Sequence, residues 1–377
     1  MRYPGQVGDT ARDWLIDGAP GASTSDEVLA GVCERLRAAG VPVDRADAYV
    51  RTLHPQFAGR AFVWEPGRGT RAIETDYASD AGRDRTMIDH VRDVRAPARH
   101  RFGPGDPRCT FTDELAALGM TDVVGVPLVF LSGEVHVCTF ATTRASGFME
   151  ADVAALEGVM APLSRVAEIL ALRRVAANVL TAYVGRDAGA RVLAGKIRRG
   201  DTELIEAAIW FSDMRGFSTA SHDKRPEDVI AMLNELFDCQ LPAIERHGGE
   251  VLKFIGDGVL AIFTPGEGGL AACCRRALAA SHEAVQAMHA RGTIRFGIAL
   301  HVGEVAYGNI GGESRLDFTC IGRAVNLAAR LESLTGKTGR DVLASEELVR
   351  ALGGTGFERV GDFEVKGFAN PIAAYAP

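Results

Sequence analysis

From Glu206 onward the apolar residues change period in a fixed order, and that order leaves very few folds open. A β-type run, AAIWFS, precedes a helical stripe at Val229, Ile230, Leu233, Leu236, Phe237, Leu241 and Ile244, which Gly248 and Gly249 end. Two more β-type runs, EVLKFI and VLAIF, flank Gly-Asp-Gly, a strong hairpin turn. A second helix is predicted over about 269–291, and the run IRFGIALHVG follows. The order βαββαβ is the split-βαβ, ferredoxin-like arrangement, an α+β fold. In it Asp213 (FSDMRGFS) leaves the first strand and Asp257 (KFIGDG) sits in the hairpin turn, so both reach one end of the central strands. Two carboxylates there can hold a pair of divalent cations, and hard oxygen ligands suit Mg²⁺. Such a two-metal clamp serves in-line phosphoryl displacement. Taken singly, Asp213 reads equally as a helix N-cap and Asp257 as an ordinary Asp-Gly turn.

At 377 residues the chain exceeds one ordinary core and suggests two domains with a connector. Its 47% apolar and 24% charged residues are those of a globular protein, and a net charge of −7 argues against nucleic acid or an anionic membrane as partner. The seven cysteines (33, 109, 138, 239, 273, 274, 320) form no CxxC pair and read as reduced core thiols. The Cys273–Cys274 pair lies in an Ala-rich helical pattern and reads as packing. No apolar run reaches the roughly 20 residues of a membrane span, and no signal-peptide core is seen. A cytoplasmic location is the expectation.

Residues 1–20, rich in Gly, Pro and Asp, read as a loose arm. A helix begins near Ser25 (Val28, Leu29, Val32, Leu36), with β-type pieces around Asp47–Leu53 and Ala61–Glu65. The stretch 67–110 is dense in Arg, Asp, Gly and Pro, with one helix at Thr86–Arg95. A hairpin follows, Asp122–Leu131 and Glu134–Thr142 about Ser132–Gly133. A long helix then starts near Met149. Its residues Leu156, Val159, Leu163, Val166 and Leu170 keep a 3–4 spacing, the register is disturbed at Arg173–Arg174, and apolar residues resume at Val175, Val179, Leu180 and Val184. That pattern fits either a packing helix at a domain edge or a parallel dimer stalk.

The segments FSDMRGFS, EVLKFIGDGVLAIF, IRFGIALHVGEVAYGNIG and DFTCIGRAVNLAARLE resemble the catalytic domain of class III nucleotidyl cyclases, over about 203–377. The resemblance implies cyclisation of ATP or GTP, the ribose 3′-hydroxyl attacking the α-phosphate and pyrophosphate leaving. It implies Asp213 and Asp257 as ligands of two Mg²⁺ (or Mn²⁺), with the Met214 carbonyl a third. Gly216, Phe217 and Ser218 open the next helix, where free N–H groups can cradle phosphate. Asn326 and Arg330, at i and i+4 of one helix, leave one face; in the family this Asn orients the ribose and this Arg stabilises the transferring phosphate. Arg295 and Lys366 resemble the family's β/γ-phosphate contacts.

Base choice rests on Lys253 and Thr319, a donor and a hydroxyl that suit adenine, whereas guanylate members resemble Glu and Cys there. The commoner adenylate pair is Lys with Asp. Lys with Thr resembles a subgroup that includes bicarbonate-responsive members, so activation by bicarbonate is an expectation. Asp317 lies on the face of Thr319 by strand alternation and can assist it. In the family the metal aspartates and the Asn/Arg pair of one site come from different subunits. A homodimer with two shared sites follows, held by the helical connector at 171–202.

Residues 21–170 resemble, in layout alone, a GAF sensor domain whose small-molecule or protein signal is not legible. No NKFDE-type cluster supports cyclic-nucleotide binding, and Cys109, Cys138, His90 and His136 are candidate pocket residues. The competing readings are a guanylate cyclase, which Lys253 opposes; a palm-type polymerase or diguanylate cyclase, which lacks a GGDEF-like turn here; and a catalytically silent regulatory partner, which intact site positions oppose.

Overall fold

The computed structural model describes residues 10–51, 57–76, 87–103 and 110–377. The chain divides into two compact units, Met1–Val179 and Leu180–Pro377, a boundary inside the expected connector.

In the first unit, helices α1 (Ala11–Ile16) and α2 (Ser25–Ala38) precede strands β1 (Arg45–Arg51), β2 (Phe57–Glu65) and β3 (Gly69–Asp76). Helix α3 (Met87–Val94), β4 (Ala98–Arg101), α4 (Thr110–Ala117), β5 (Asp122–Val129), β6 (Val135–Thr142) and the long α5 (Glu150–Val184) follow. The strands pair antiparallel in the order β3-β2-β1-β6-β5-β4. Alternation along β5 explains the layering: Val124 and Val126 join α1, α2 and the start of α5 on one face, while Val123 meets Leu115 of α4 on the other. A Thr24–Glu27 capping box starts α2.

Three expectations are corrected here. The arm is not loose over its described part, because α1 buries Trp14 and Leu15 in the core. The polar stretch 67–110 contains β3 and β4 besides its helix. Helix α5 runs unbroken through Arg173–Arg174, and Leu156, Val159 and Leu163 pack into this unit's own core rather than forming a coiled-coil seam. Gly185, at φ +95°, does end α5. Of the candidate pocket residues, Cys138 and His136 are buried, His90 is exposed, and none lines the cleft found in this unit around Arg45, Glu65 and Glu114. Cys109 lies outside the described residues.

The second unit opens with α6 (Arg186–Leu193) and β7 (Thr202–Met214), then α7 (Phe217–Ser221), α8 (Pro226–Arg246), β8 (Glu250–Ile255) and β9 (Gly258–Phe263). Helix α9 (Gly269–Arg291), β10 (Phe296–Gly311), β11 (Leu316–Ile321), α10 (Arg323–Glu332) and α11 (Thr335–Thr338) come next. Strand β12 (Val342–Ser345), α12 (Glu346–Ala351), β13 (Glu358–Phe363) and β14 (Ile372–Ala376) close the chain. The sheet order is β13-β14-β12-β10-β7-β9-β8, with β11 paired to β10. Its centre, β10-β7-β9-β8, is antiparallel throughout and is the βαββαβ unit read from the sequence. The sheet extension β12–β14 has no counterpart in that reading.

Alternation along β7 again sets the layers. Ala208 and Trp210 face α8 and α9, whereas Ala207 and Ile209 face α6 and α10. Cys273 and Cys274 are fully buried in the first of these layers, in accord with a packing role. Among the described residues no helix is long and apolar enough to cross a membrane.

Candidate active site

Strand β7 delivers Asp213 to the sheet end through a rigid lead-in. Ser212, just before it, accepts from Trp210 Nε1 at 3.2 Å and donates to the buried Gln240. The β8–β9 hairpin delivers Asp257: Ile255 pairs with Gly258, leaving a two-residue loop in which Gly256 takes φ +64°. A positive φ at the first loop residue is the II′ pattern, and glycine adopts it without penalty. Asp257 Oδ2 then accepts from the Met214 backbone N–H at 3.2 Å, so the two aspartates meet as sequence order predicts. Gly258 allows the approach, since a β-carbon there would stand 2.7 Å from the Ser212 carbonyl and 3.2 Å from Asp213 Oδ1.

Burial, followed by the charge of Asp257, pushes the Asp213 carboxyl up to about 6. A third carboxylate stands close by. Glu332, at the end of α10, is raised to about 7, by burial first and by Asp213 second. A pair of adjacent oxygen donors whose mutual repulsion is uncompensated suits a divalent cation, and the donor set is that of Mg²⁺ or Mn²⁺. Among the described residues no group of three or more His, Cys, Asp or Glu is arranged to hold a metal. Asp213 and Asp257 are the carboxylates that this end of the sheet brings together.

The remaining predicted residues fall in three places. Lys253 and Thr319 are at the far side of the hairpin. A register shift between Val251 and Lys253 marks a bulge that re-aims the lysine. Lys253 Nζ donates to Asp317 Oδ2 at 2.8 Å, so Asp317 is the residue that engages it in this chain. Thr319 is 2% exposed, and its Oγ1 has no hydrogen-bond partner among the described residues. Leaving such a hydroxyl unpaired costs about 1–3 kcal/mol, a cost that a ligand's hydrogen bond would offset. Lys253 and Asp317 also line an open cleft of about 830 Å³, beside Phe254, Glu250 and Arg191, with neither metal-site aspartate on its walls.

Asn326 and Arg330 project from α10 into solvent, with no side-chain partner among the described residues. Gly216, at φ +71°, precedes the five-residue α7, and Ser218 is exposed while Phe217 is half-buried. Arg295 stands just before β10 rather than within it, and Lys366 lies in a turn between β13 and β14; both side chains are exposed.

Two residues near the aspartates escaped the sequence reading. Arg215 donates to the Arg340 carbonyl at 2.6 Å and pairs with Asp341 at 3.2 Å. Glu332 had a visible signal: it continues the buried stripe Ala324–Ala328 by one more step of four, an acid where the pattern calls for an apolar residue.

The second unit thus joins a ferredoxin-like sheet to a pair of aspartates at one end of its central strands. Residues 202–376, a little under half of the chain, match the family described as the adenylate and guanylate cyclase catalytic domain. The adenylate cyclase of Anabaena cylindrica is 35% identical over 166 residues, 41% of this chain and 32% of that protein. Adenylate cyclase 1 of Rhizobium meliloti (strain 1021) is 34% identical over 181 residues, 45% of this chain and 27% of that protein. The chain thus spans about a third of the length of these relatives. Among solved structures, a bacterial light-regulated adenylyl cyclase is 32% identical, covering 46% of this chain and 90% of its own, at a TM-score of 0.40.

Proposed function

We propose that the chain is an adenylate cyclase that converts ATP to 3′,5′-cyclic AMP and pyrophosphate in two sites shared by a homodimer. The observation that carries the shared site is the division of α10 between two faces. Successive residues turn by about 100° on a helix, so Arg330 and Glu332 point roughly 200° apart. Glu332 is turned to the chain's own aspartates. Arg330 and Asn326 therefore face away from them into solvent, where a second copy of the chain could meet them.

Asp213 and Asp257 of one chain would hold two Mg²⁺ or Mn²⁺, which when bound supply charge neutralisation on the phosphates and activation of the 3′-hydroxyl. Asn326 of the other chain orients the ribose, and Arg330 meets the charge that develops on the α-phosphate with a fixed fork of donors. Arg295 and Lys366 contact the β- and γ-phosphates, and the N–H groups at Gly216, Phe217 and Ser218 cradle them. Lys253 donates to adenine N1, and the unpaired Thr319 hydroxyl accepts from N6. The Lys253–Asp317 pair must open or reorient for this, which keeps the lysine oriented in the free protein.

Lys253 with Thr319 supports a reading in the Lys/Thr subgroup, with bicarbonate as an activator to test. The antiparallel sheet of the first unit, with α2 and α5 on one face, supports the GAF-like sensor reading. Its signal would pass through α5. Incubated with Mn²⁺ or Mg²⁺, the purified chain should form cyclic AMP from ATP, resolved from cyclic GMP by chromatography, with and without bicarbonate. Product from GTP alone would overturn the base assignment in favour of the guanylate reading.

A further inference from the structure

The sheet of the first unit turns charges, not apolar residues, to its outer side around β1. Ala46 pairs with Trp64, and both belong to the main core on the inner side. Alternation therefore turns their neighbours outward. Ala141, which pairs with Arg45, meets Leu115 of α4 on that outer side. One outward rung runs Asp47, Val63, Arg71; on the next, Glu65 faces Gly69, which has no side chain. A cleft of about 510 Å³ opens there, closed on its far side by Glu114, Ala117 and Leu118 at the end of α4.

Arg45 is the most deeply set charge of the cleft, at 4% exposed, and its donors are committed. Its Nε donates to Asp47 Oδ2 at 3.0 Å and its Nη2 to Asp47 Oδ1 at 2.9 Å. The same Nη2 reaches Glu114 Oε1 at 3.2 Å, and Glu65 Oε1 stands 3.6 Å from Nη1. Arg68 pairs with the other Glu65 oxygen at 3.1 Å. Arg71 is exposed and has no ion pair among the described residues, although Asp47 feels its charge. Three guanidinium groups thus meet three carboxylates, and that balance selects the ligand. A phosphate would face Asp47, Glu65 and Glu114, and a metal cation would face Arg45. Among the described residues no aromatic ring lines the cleft, so nothing there stacks a nucleobase. A molecule carrying both signs fits instead. Arg71 offers a carboxylate its fork of donors. Glu114, half-exposed, uses one oxygen on Arg45 and keeps the other for an ammonium. Leu118, 47% exposed, sets an apolar rim beside Ala117 and Val63.

We propose that this cleft binds a free amino acid with a short aliphatic side chain. The ligand's carboxylate pairs with Arg71 and its ammonium with Glu114, while its side chain lies against Val63, Ala117 and Leu118. Arg45, locked by Asp47, holds the Glu114 carboxylate in place for the ammonium. Every residue involved belongs to the first unit, so the site stands apart from the chemistry read in the second.

Titration calorimetry on the full chain, without nucleotide, tests this with L-leucine and L-valine as probes. At least one should bind saturably with a Kd below about 1 mM. N-acetyl-L-leucine, which lacks the ammonium, and isopentylamine, which lacks the carboxylate, should bind at least about tenfold more weakly, the worth of one charge-assisted hydrogen bond. Arg71→Gln and Glu114→Gln should weaken the amino acid by a similar factor. Both side chains are exposed, and an unchanged melting temperature would show that these variants fold. No binding of either amino acid would overturn the proposal. Equal binding of the acetylated compound would reduce the cleft to an anion site, and equal binding of the amine to a cation site; either result contradicts it. These comparisons on the wild type decide even where a variant folds poorly.

Discussion

Asp213 illustrates how a single carboxylate records its surroundings. Burial and Asp257 push it up to about 6, and Glu332 beside it to about 7. Without a cation both protonated forms are favoured by folding, so their stabilising effect is complete below the unfolded carboxylate range, near 4, and is lost as pH rises through 6 to 7. His301, buried against Ser345, runs the other way: burial lowers it to about 4, so its contribution is present above about 6.5 and lost as pH falls toward 4. A cation on the aspartates must displace the Asp213 proton. Mn²⁺ should therefore raise the melting temperature at pH 8, in line with about 2.7 kcal/mol at a hundredfold excess over Kd, and should do little at pH 5. Scanning calorimetry with and without Mn²⁺ at the two pH values checks this; equal increments would count against the aspartates as the metal site. The convergence of these two carboxylates, Asp213 and Asp257, was legible from the sequence, because strand order alone brings them together. Glu332 was missed although its place in the Ala324–Ala328 stripe was visible, since what a carboxylate there meets is known only once Gly297 is seen to lie beneath it.

At the scale of elements, α5 is where spacing misled. Leu156, Val159 and Leu163 have the period of a coiled coil yet are spent on the sheet of the first unit. Further along, Ile169 (59% exposed), Leu172 (62%) and Val179 (41%) stay in solvent and, with Ala176, keep a 3-4-3 spacing of their own. Periodicity reports that a face is apolar without saying which partner covers it. If this later stripe is the dimer contact, Ile169→Glu with Leu172→Glu should shift the chain from dimer to monomer in light scattering and reduce turnover by at least about tenfold. An unchanged dimer would show that the catalytic unit alone holds the two copies together. Strands β3 and β4 were missed for a related reason: polar, charged strands carry too weak an alternation to stand out from loop composition.

For the whole molecule, the catalytic half was the more legible because its central βαββαβ order follows from local patterns, whereas β12–β14 join the sheet through a parallel contact and long-range pairing that no local signal announces. The first unit yielded a layout but no ligand, since its chemistry depends on which charged residues converge in space. The central claim is that each site takes its aspartates from one copy and its Asn326–Arg330 pair from another. Chains carrying Asp213→Ala and chains carrying Arg330→Ala should each be inactive with ATP, because each variant disables both sites of its own homodimer. Mixed so that subunits exchange, half the dimers are heterodimers with one intact site of two, and cyclic AMP formation should recover to roughly a quarter of wild type. Recovery near that level supports the account; a mixture as inactive as its components would contradict it.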